Sequence, residues 1–155
     1  MSAKPSDRLP GAVLFCCNYN RVRSPMVEGL LKRHIGDRVF VDSCGLRRWP
    51  RDPDEDVSDI DPLAAEVMGE LGLDLMRHRS KTFGDLEDDS FDLIITLTPE
   101  AQHRAVELTR GRATVLEYWP TADPTLADGS RDHRLEAYRQ VRDGLAKRIA
   151  ARFPV

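Results

Sequence analysis

Cys17 and Arg23 stand six positions apart near the start of this chain, in the stretch "VLFCCNYNRVRSP" (13–25), with Ser24 immediately after the arginine. Apolar residues lead into the thiol and a helical pattern follows the serine, so the spacing predicts a strand, a five-residue loop "NYNRV" and a helix start. A loop that short curls its backbone N–H groups toward one point, and the positive end of the helix dipole adds to them. That concavity suits an oxyanion, and Arg23 supplies a planar fork for two phosphate oxygens. The same field favours a thiolate, because thiols beside cations at helix N-termini fall from about 8.5 into the range of roughly 3.5 to 7.5. Cys17 is therefore the expected nucleophile, with phosphate held by Asn18, Tyr19, Asn20, Arg21, Val22, Arg23 and Ser24. Cys16 points the other way along the strand and is expected to pack as a small apolar side chain.

The elements that must hold this loop alternate along the chain. "AVLFCC" (12–17) is a continuous apolar run of the kind buried on both faces of a sheet. Met26, Val27, Leu30, Leu31 and Ile35 then fall on one helical face, with Ser24 expected as the cap and Pro25 in the first turn, where its missing N–H is no loss. Residues 38–43 read as a second strand, 49–61 as a Pro- and acid-rich loop, and Leu63, Val67, Met68 and Leu71 as a helix face. The strongest strand pattern is "FDLIITL" (91–97), followed by a helix opening at Pro99, a fourth strand over 113–119, and a long terminal helix through Leu135, Tyr138, Val141, Leu145 and Ile149.

This alternation predicts an α/β fold: a three-layer sandwich around a central four-stranded parallel sheet, in flavodoxin-like βαβ topology with right-handed crossovers. Ligands in such sheets sit beyond the carboxyl ends of the strands, near the reversal of strand order. The loops after Cys17, Ser43, Leu97 and Trp119 are thus where chemistry is expected.

Composition narrows the function further. Length 155 fits one domain over 11–155, preceded by a flexible lead-in at 1–10. A net charge of −3, from 23 basic and 26 acidic side chains, lacks the basic footprint of a nucleic-acid binder. No apolar run reaches the length of a membrane span and "MSAKPSDRLP" has no secretory apolar region, so a soluble, cytoplasmic protein is expected. Three cysteines, two of them adjacent, fit reduced thiols better than a disulfide framework. Four histidines (His34, His78, His103, His133) without ligand spacing give no sign of a metal, and no cofactor is expected.

"CNYNRVRSP" resembles the signature of the low-molecular-weight protein tyrosine phosphatases, Cys-x5-Arg-Ser after a strand, matching at Cys17, Asn20, Arg23, Ser24 and Pro25. Asp123-Pro124, after the fourth strand and before the terminal helix, resembles the family's Asp-Pro. "VDSCG" with Trp49 beyond it, and "GLDLMRHRSKTF" with His78, extend the likeness from Val13 to about Ile149. The resemblance implies that Asp123 is the general acid and then the base. It further implies that Ser43, His78 and Asn20 brace the loop, that Ser24 donates to the thiolate, and that Trp49, Tyr19 and Thr125 line the substrate pocket. The substrate would be a phosphorylated protein or small phosphomonoester, and the protein a monomer or weak dimer.

Four positions depart from the family pattern. Tyr19 replaces a usual glycine and would be strained if that site needs a positive φ; Val22 replaces a second cysteine; Thr125 replaces an aromatic residue. Arg21 stands where an aliphatic or small hydroxyl residue is typical, and either lines the pocket, disfavouring phosphoarginine and favouring acidic substrates, or points to solvent. The run "RDPDEDVSDID" (51–61) could select basic peptides or simply be solvated. Arsenate reduction with an external thiol is the nearest rival, since no cysteine follows Cys44 to carry a disulfide relay. A non-catalytic module that binds phospho-ligands is the other.

Overall fold

The computed structural model describes residues 9–51, 58–87 and 90–155. Four strands, β1 (Ala12–Cys17), β2 (Phe40–Gly45), β3 (Leu93–Thr96) and β4 (Val115–Tyr118), form a sheet in the order β2-β1-β3-β4, and every pairing is parallel. The helices are α1 (Arg23–Ile35), α2 (Pro62–Gly69), α3 (Pro99–Leu108) and α4 (Arg131–Arg152). Strand order reverses at β1, whose neighbours are the next strand on one side and the third on the other. The expected α/β sandwich is what the chain forms, with β1 at its centre.

The alternation within β1 sorts its side chains into two layers. Val13, Phe15 and Cys17 face α1, α2 and α4, packing with Met26, Leu31, Val67, Leu145 and Ile149. Leu14 and Cys16 face the other way, toward Cys44, Ile94 and the small residues Ala101 and Ala105 of α3. Every side chain of β1 from Val13 to Cys17 is buried, which accounts for the unbroken apolar run that marks it in the sequence.

The boundaries move for local reasons. β2 begins at Phe40 rather than 38, because Gly36–Arg38 forms a 3-10 turn with Gly36 at φ 62°. The same strand continues to Gly45, since Ser43, Cys44 and Gly45 pair in register with Phe15, Cys16 and Cys17. The third and fourth strands are each shorter at both ends than the apolar patterns suggest. α4 buries Leu135, Tyr138, Leu145 and Ile149, as its spacing predicts. No helix among the described residues is long and apolar enough to cross a membrane. The acidic loop lies largely outside the described residues, at 52–57, as does most of the N-terminal lead-in, at 1–8.

Candidate active site

Cys17 ends β1 and the chain turns at once. Asn20 adopts φ 57°, the left-handed conformation that asparagine tolerates better than most residues, and this brings its N–H back to within 3.3 Å of the Cys17 Sγ. The positive φ therefore falls on Asn20 and not on Tyr19, and the strain expected of Tyr19 does not arise. Among the described residues no carbonyl accepts from the N–H groups of Tyr19, Arg21 or Val22, which leaves them available to an anion. Gly45 sits against the outside of this turn, where an added Cβ would lie 2.8 Å from the Asn20 N and 2.9 Å from the Asn18 O. Any larger residue at position 45 would push the loop out of shape.

Ser24 corrects the sequence reading. The helix begins one residue earlier, at Arg23, with Val22 in the cap position and no side-chain cap. Ser24 is instead buried within the first turn, its Oγ 2.9 Å from the Cys17 Sγ and 2.8 Å from the Asn20 Nδ2, which donates to it. The second hydrogen of that amide goes to the Ser43 Oγ at 2.9 Å, and the Asn20 Oδ1 accepts from the Lys81 N–H at 3.1 Å. His78 donates from Nε2 to the Asn20 carbonyl at 2.8 Å. Asn20, Ser24 and Ser43 are all fully buried and fully paired, so the loop is held by polar groups whose loss would each leave a desolvated partner.

The other rim loops reach the same spot. Thr98, after β3, donates to the Asn18 Oδ1 at 2.8 Å; Thr121, after β4, accepts from the Arg23 Nη1 at 3.0 Å through its carbonyl. Asp123 begins the short 3-10 turn Pro124–Leu126, and its Oδ1 accepts from both the N–H (2.9 Å) and the hydroxyl (2.6 Å) of Thr125. Its free oxygen, Oδ2, stands 4.0 Å from the Arg23 Nη2. Thr125 thus orients the Asp123 carboxylate.

A cavity of about 290 Å³ joins these groups, with Cys17, Asn18, Val22, Arg23 and Asp123 among the residues lining it. Its wall includes Tyr19 and Trp49, whose rings meet edge to face at 4.9 Å between centroids. Arg21 also lines it, stacked over Trp49 at 4.9 Å with its Nη2 on the Ser58 carbonyl, so of the two readings of Arg21 the pocket-lining one holds. Tyr138, Asp61 and Arg134 complete the wall and were not foreseen; Tyr138 donates to Asp61 at 3.2 Å, and burial with that neighbouring carboxylate pushes its phenol well above the ordinary range. A larger hollow, about 610 Å³, runs along α1 and residues 73–81, and no cysteine or serine lines it. Among the described residues no group of three His, Cys, Asp or Glu side chains could hold a metal ion.

The sequence reading also passed over Glu28, to which Ser43 donates at 2.5 Å, and over Thr98 and Thr121. Glu28 looks like any polar position on an amphipathic helix, and only the parallel register of β2 brings Ser43 to it.

Residues 12–152 match the family described as low molecular weight phosphotyrosine protein phosphatase. An arsenate reductase from Halalkalibacterium halodurans is 29% identical over 137 residues, covering 88% of this chain and 91% of its own. A glutaredoxin arsenate reductase from Synechocystis is also 29% identical, covering 88% of this chain and 92% of its own. Among solved structures, the tyrosine phosphatase AmsI of Erwinia amylovora superposes with a TM-score of 0.70 at 21% identity, covering 94% of this chain and 91% of that one.

Proposed function

The chain belongs to the low molecular weight phosphotyrosine protein phosphatase family, and on that premise we propose that it hydrolyses phosphomonoesters of phenols, phosphotyrosine among them, through a cysteinyl phosphate. The observation that carries this reading is the aromatic-walled cavity opening on Cys17. An inorganic oxyanion needs only the loop, whereas Tyr19 and Trp49 offer surface to a ring attached to it.

In the proposed cycle, phosphate oxygens take the loop N–H groups and Arg23, which puts phosphorus against the Cys17 Sγ. The sulfur attacks, an S–P bond forms and the P–O bond to the leaving group breaks, with a proton passing from Asp123 to the departing oxygen. Water then attacks phosphorus, gives its proton back to Asp123, and the S–P bond breaks to release phosphate. The N–H of Asn20 and the hydroxyl of Ser24 lie against the sulfur and stabilise negative charge on it whenever it is attacking or leaving. The three cysteines are all unpaired, which supports a reducing compartment such as the cytoplasm.

A second reading is favoured by the names of the curated relatives: reduction of arsenate, with arsenic in place of phosphorus in the cradle. No cysteine follows Cys44, so the disulfide would have to be resolved by an external thiol. Two assays separate the readings: release of phosphate from para-nitrophenyl phosphate, and arsenate-dependent oxidation of glutathione with glutaredoxin. Turnover in the first and none in the second is expected. Arsenate-dependent thiol oxidation with no phosphatase activity would overturn the proposal.

A further inference from the structure

Hydrogen-bond direction is not given by heavy-atom positions, but the partners around Asn20 leave one solution. A backbone N–H can only donate, so Lys81, bonded to the Asn20 Oδ1, fixes which end of that amide is oxygen. Both amide hydrogens then point inward, one to the Ser43 Oγ and one to the Ser24 Oγ. A carboxylate can only accept, so Ser43 must spend its own hydrogen on Glu28, 2.5 Å away, and turn a lone pair toward Asn20. The second oxygen of Glu28 is held by the Lys32 ammonium at 2.6 Å, which offsets its charge and fixes its rotamer. The Ser24 hydroxyl, receiving from Asn20, has its hydrogen free for the Cys17 Sγ at 2.9 Å; its other neighbouring acceptor, the Cys44 carbonyl, is at 3.5 Å.

We propose that Glu28 is a positioning residue of the active site: its carboxylate sets the donor direction of the chain Ser43, Asn20, Ser24, and so aims the Ser24 hydrogen at the nucleophilic sulfur. The inference rests on Cys17 being the nucleophile but not on what the sulfur attacks. Without the carboxylate, Ser43 has no acceptor for its hydrogen except by turning on Asn20, which offers it only N–H. The Asn20 amide would then flip, abandon the Lys81 N–H and present oxygen to Ser24, whose own hydrogen would turn from the sulfur to meet it. Glutamine at position 28 presents an amide N–H₂ to Ser43 as readily as its oxygen, so it is a near-isosteric test of direction. Lys32, Lys81 paired with Asp42, and the His78 ring are the other charged or titratable groups around this end of the chain, and none of them bonds to the Ser43 hydroxyl.

Three readouts on wild type, Glu28→Gln, Ser43→Ala and the double variant test this: kcat and KM for para-nitrophenyl phosphate, the rate of Cys17 alkylation by iodoacetamide at neutral pH, and the melting temperature. For Glu28→Gln the alkylation rate and kcat are expected to fall together by about three- to tenfold, the size of one ordinary hydrogen bond, with KM little changed because Arg23 and the loop amides are untouched. Because Glu28 acts through Ser43, the substitution adds little once Ser43 is alanine. A change in melting temperature with alkylation and kcat as in wild type would reduce Glu28 to a structural residue, and additive losses in the double variant would equally overturn the proposal. Alkylation uses no phosphate, so a protein that fails to hydrolyse the ester yet shows the alkylation pattern would sink the phosphatase reading while upholding this one.

Discussion

Cys16 and Cys17 are neighbours on one strand and meet opposite surroundings. Cys16 points into the layer beneath α3, fully buried among Leu14, Ile94, Ala101 and Ala105, with the Cys44 Sγ at 3.5 Å as its polar partner. Burial first, and then the Cys44 thiol, push its pKa well above the ordinary thiol range. Cys17 is almost as buried, but it closes the strand where a backbone N–H and a hydroxyl converge on its sulfur and a helix begins six residues on. Burial alone therefore does not separate the two thiols; the donors aimed at the Cys17 sulfur do, and on the proposed reading they mark it as the nucleophile.

The sharpest way to break this contrast is to delete each sulfur in turn. Cys17→Ser is expected to lower turnover of para-nitrophenyl phosphate by at least about 10⁴-fold, since the alkoxide it would need is far out of reach at neutral pH. Cys16→Ala is expected to keep kcat within about twofold and to cost about 1 kcal/mol of stability for the space it leaves. Comparable losses of activity in both would erase the distinction. Next in size, Asp123→Asn is expected to slow turnover by about 10²- to 10⁴-fold, in steady-state assays with the aryl ester. Thr125→Ala should show a milder version of the same defect, because the carboxylate keeps its place on Arg23 but loses its hydroxyl tether.

The inert thiol has a signature of its own. Because the folded pKa of Cys16 is raised, the stability it contributes is complete below the pKa of an unfolded thiol and is lost as pH rises above it, where the unfolded chain releases a proton that the folded chain keeps. Denaturant unfolding from pH 8 to about 10.5 should show stability falling with a slope that Cys16→Ala reduces; an unchanged slope would contradict the burial argument. Smallest is the response to peroxide. Cys17 has neither Cys16 nor Cys44 on its own face of the sheet, so its sulfenic acid lacks a partner thiol, and reductant should restore activity only in part. Full recovery would mean that a second thiol reaches it.

Much of this arrangement was legible in the sequence. The thiol, the five-residue loop, Arg23 and the alternating elements are local patterns, and the distant Asp123 was singled out by its likeness to the family's Asp-Pro together with its place between the fourth strand and the terminal helix. Ser24 misled only as a cap: a serine before proline has the look of one, whereas the helix starts at Arg23, and the hydroxyl lies against the sulfur as the family resemblance implies. The condition for strain at Tyr19 is not met, because the positive φ lies one residue later, on Asn20. Glu28, Gly45, Thr98 and Thr121 were illegible for a common reason. Their partners lie 15 to 98 positions away, and only the register of a folded parallel sheet brings them together.

The central claim is that Cys17 carries the phosphoryl group between substrate and water. Asp123→Asn, mixed with para-nitrophenyl phosphate and quenched in acid within the first turnovers, is the material that tests it, because a crippled base leaves the intermediate to accumulate. Peptide mass analysis should find one phosphoryl group, confined to the peptide bearing Cys17 and absent from the Cys17→Ser protein. Turnover that proceeds with that peptide unmodified, or with the phosphoryl group on another residue, would contradict the account.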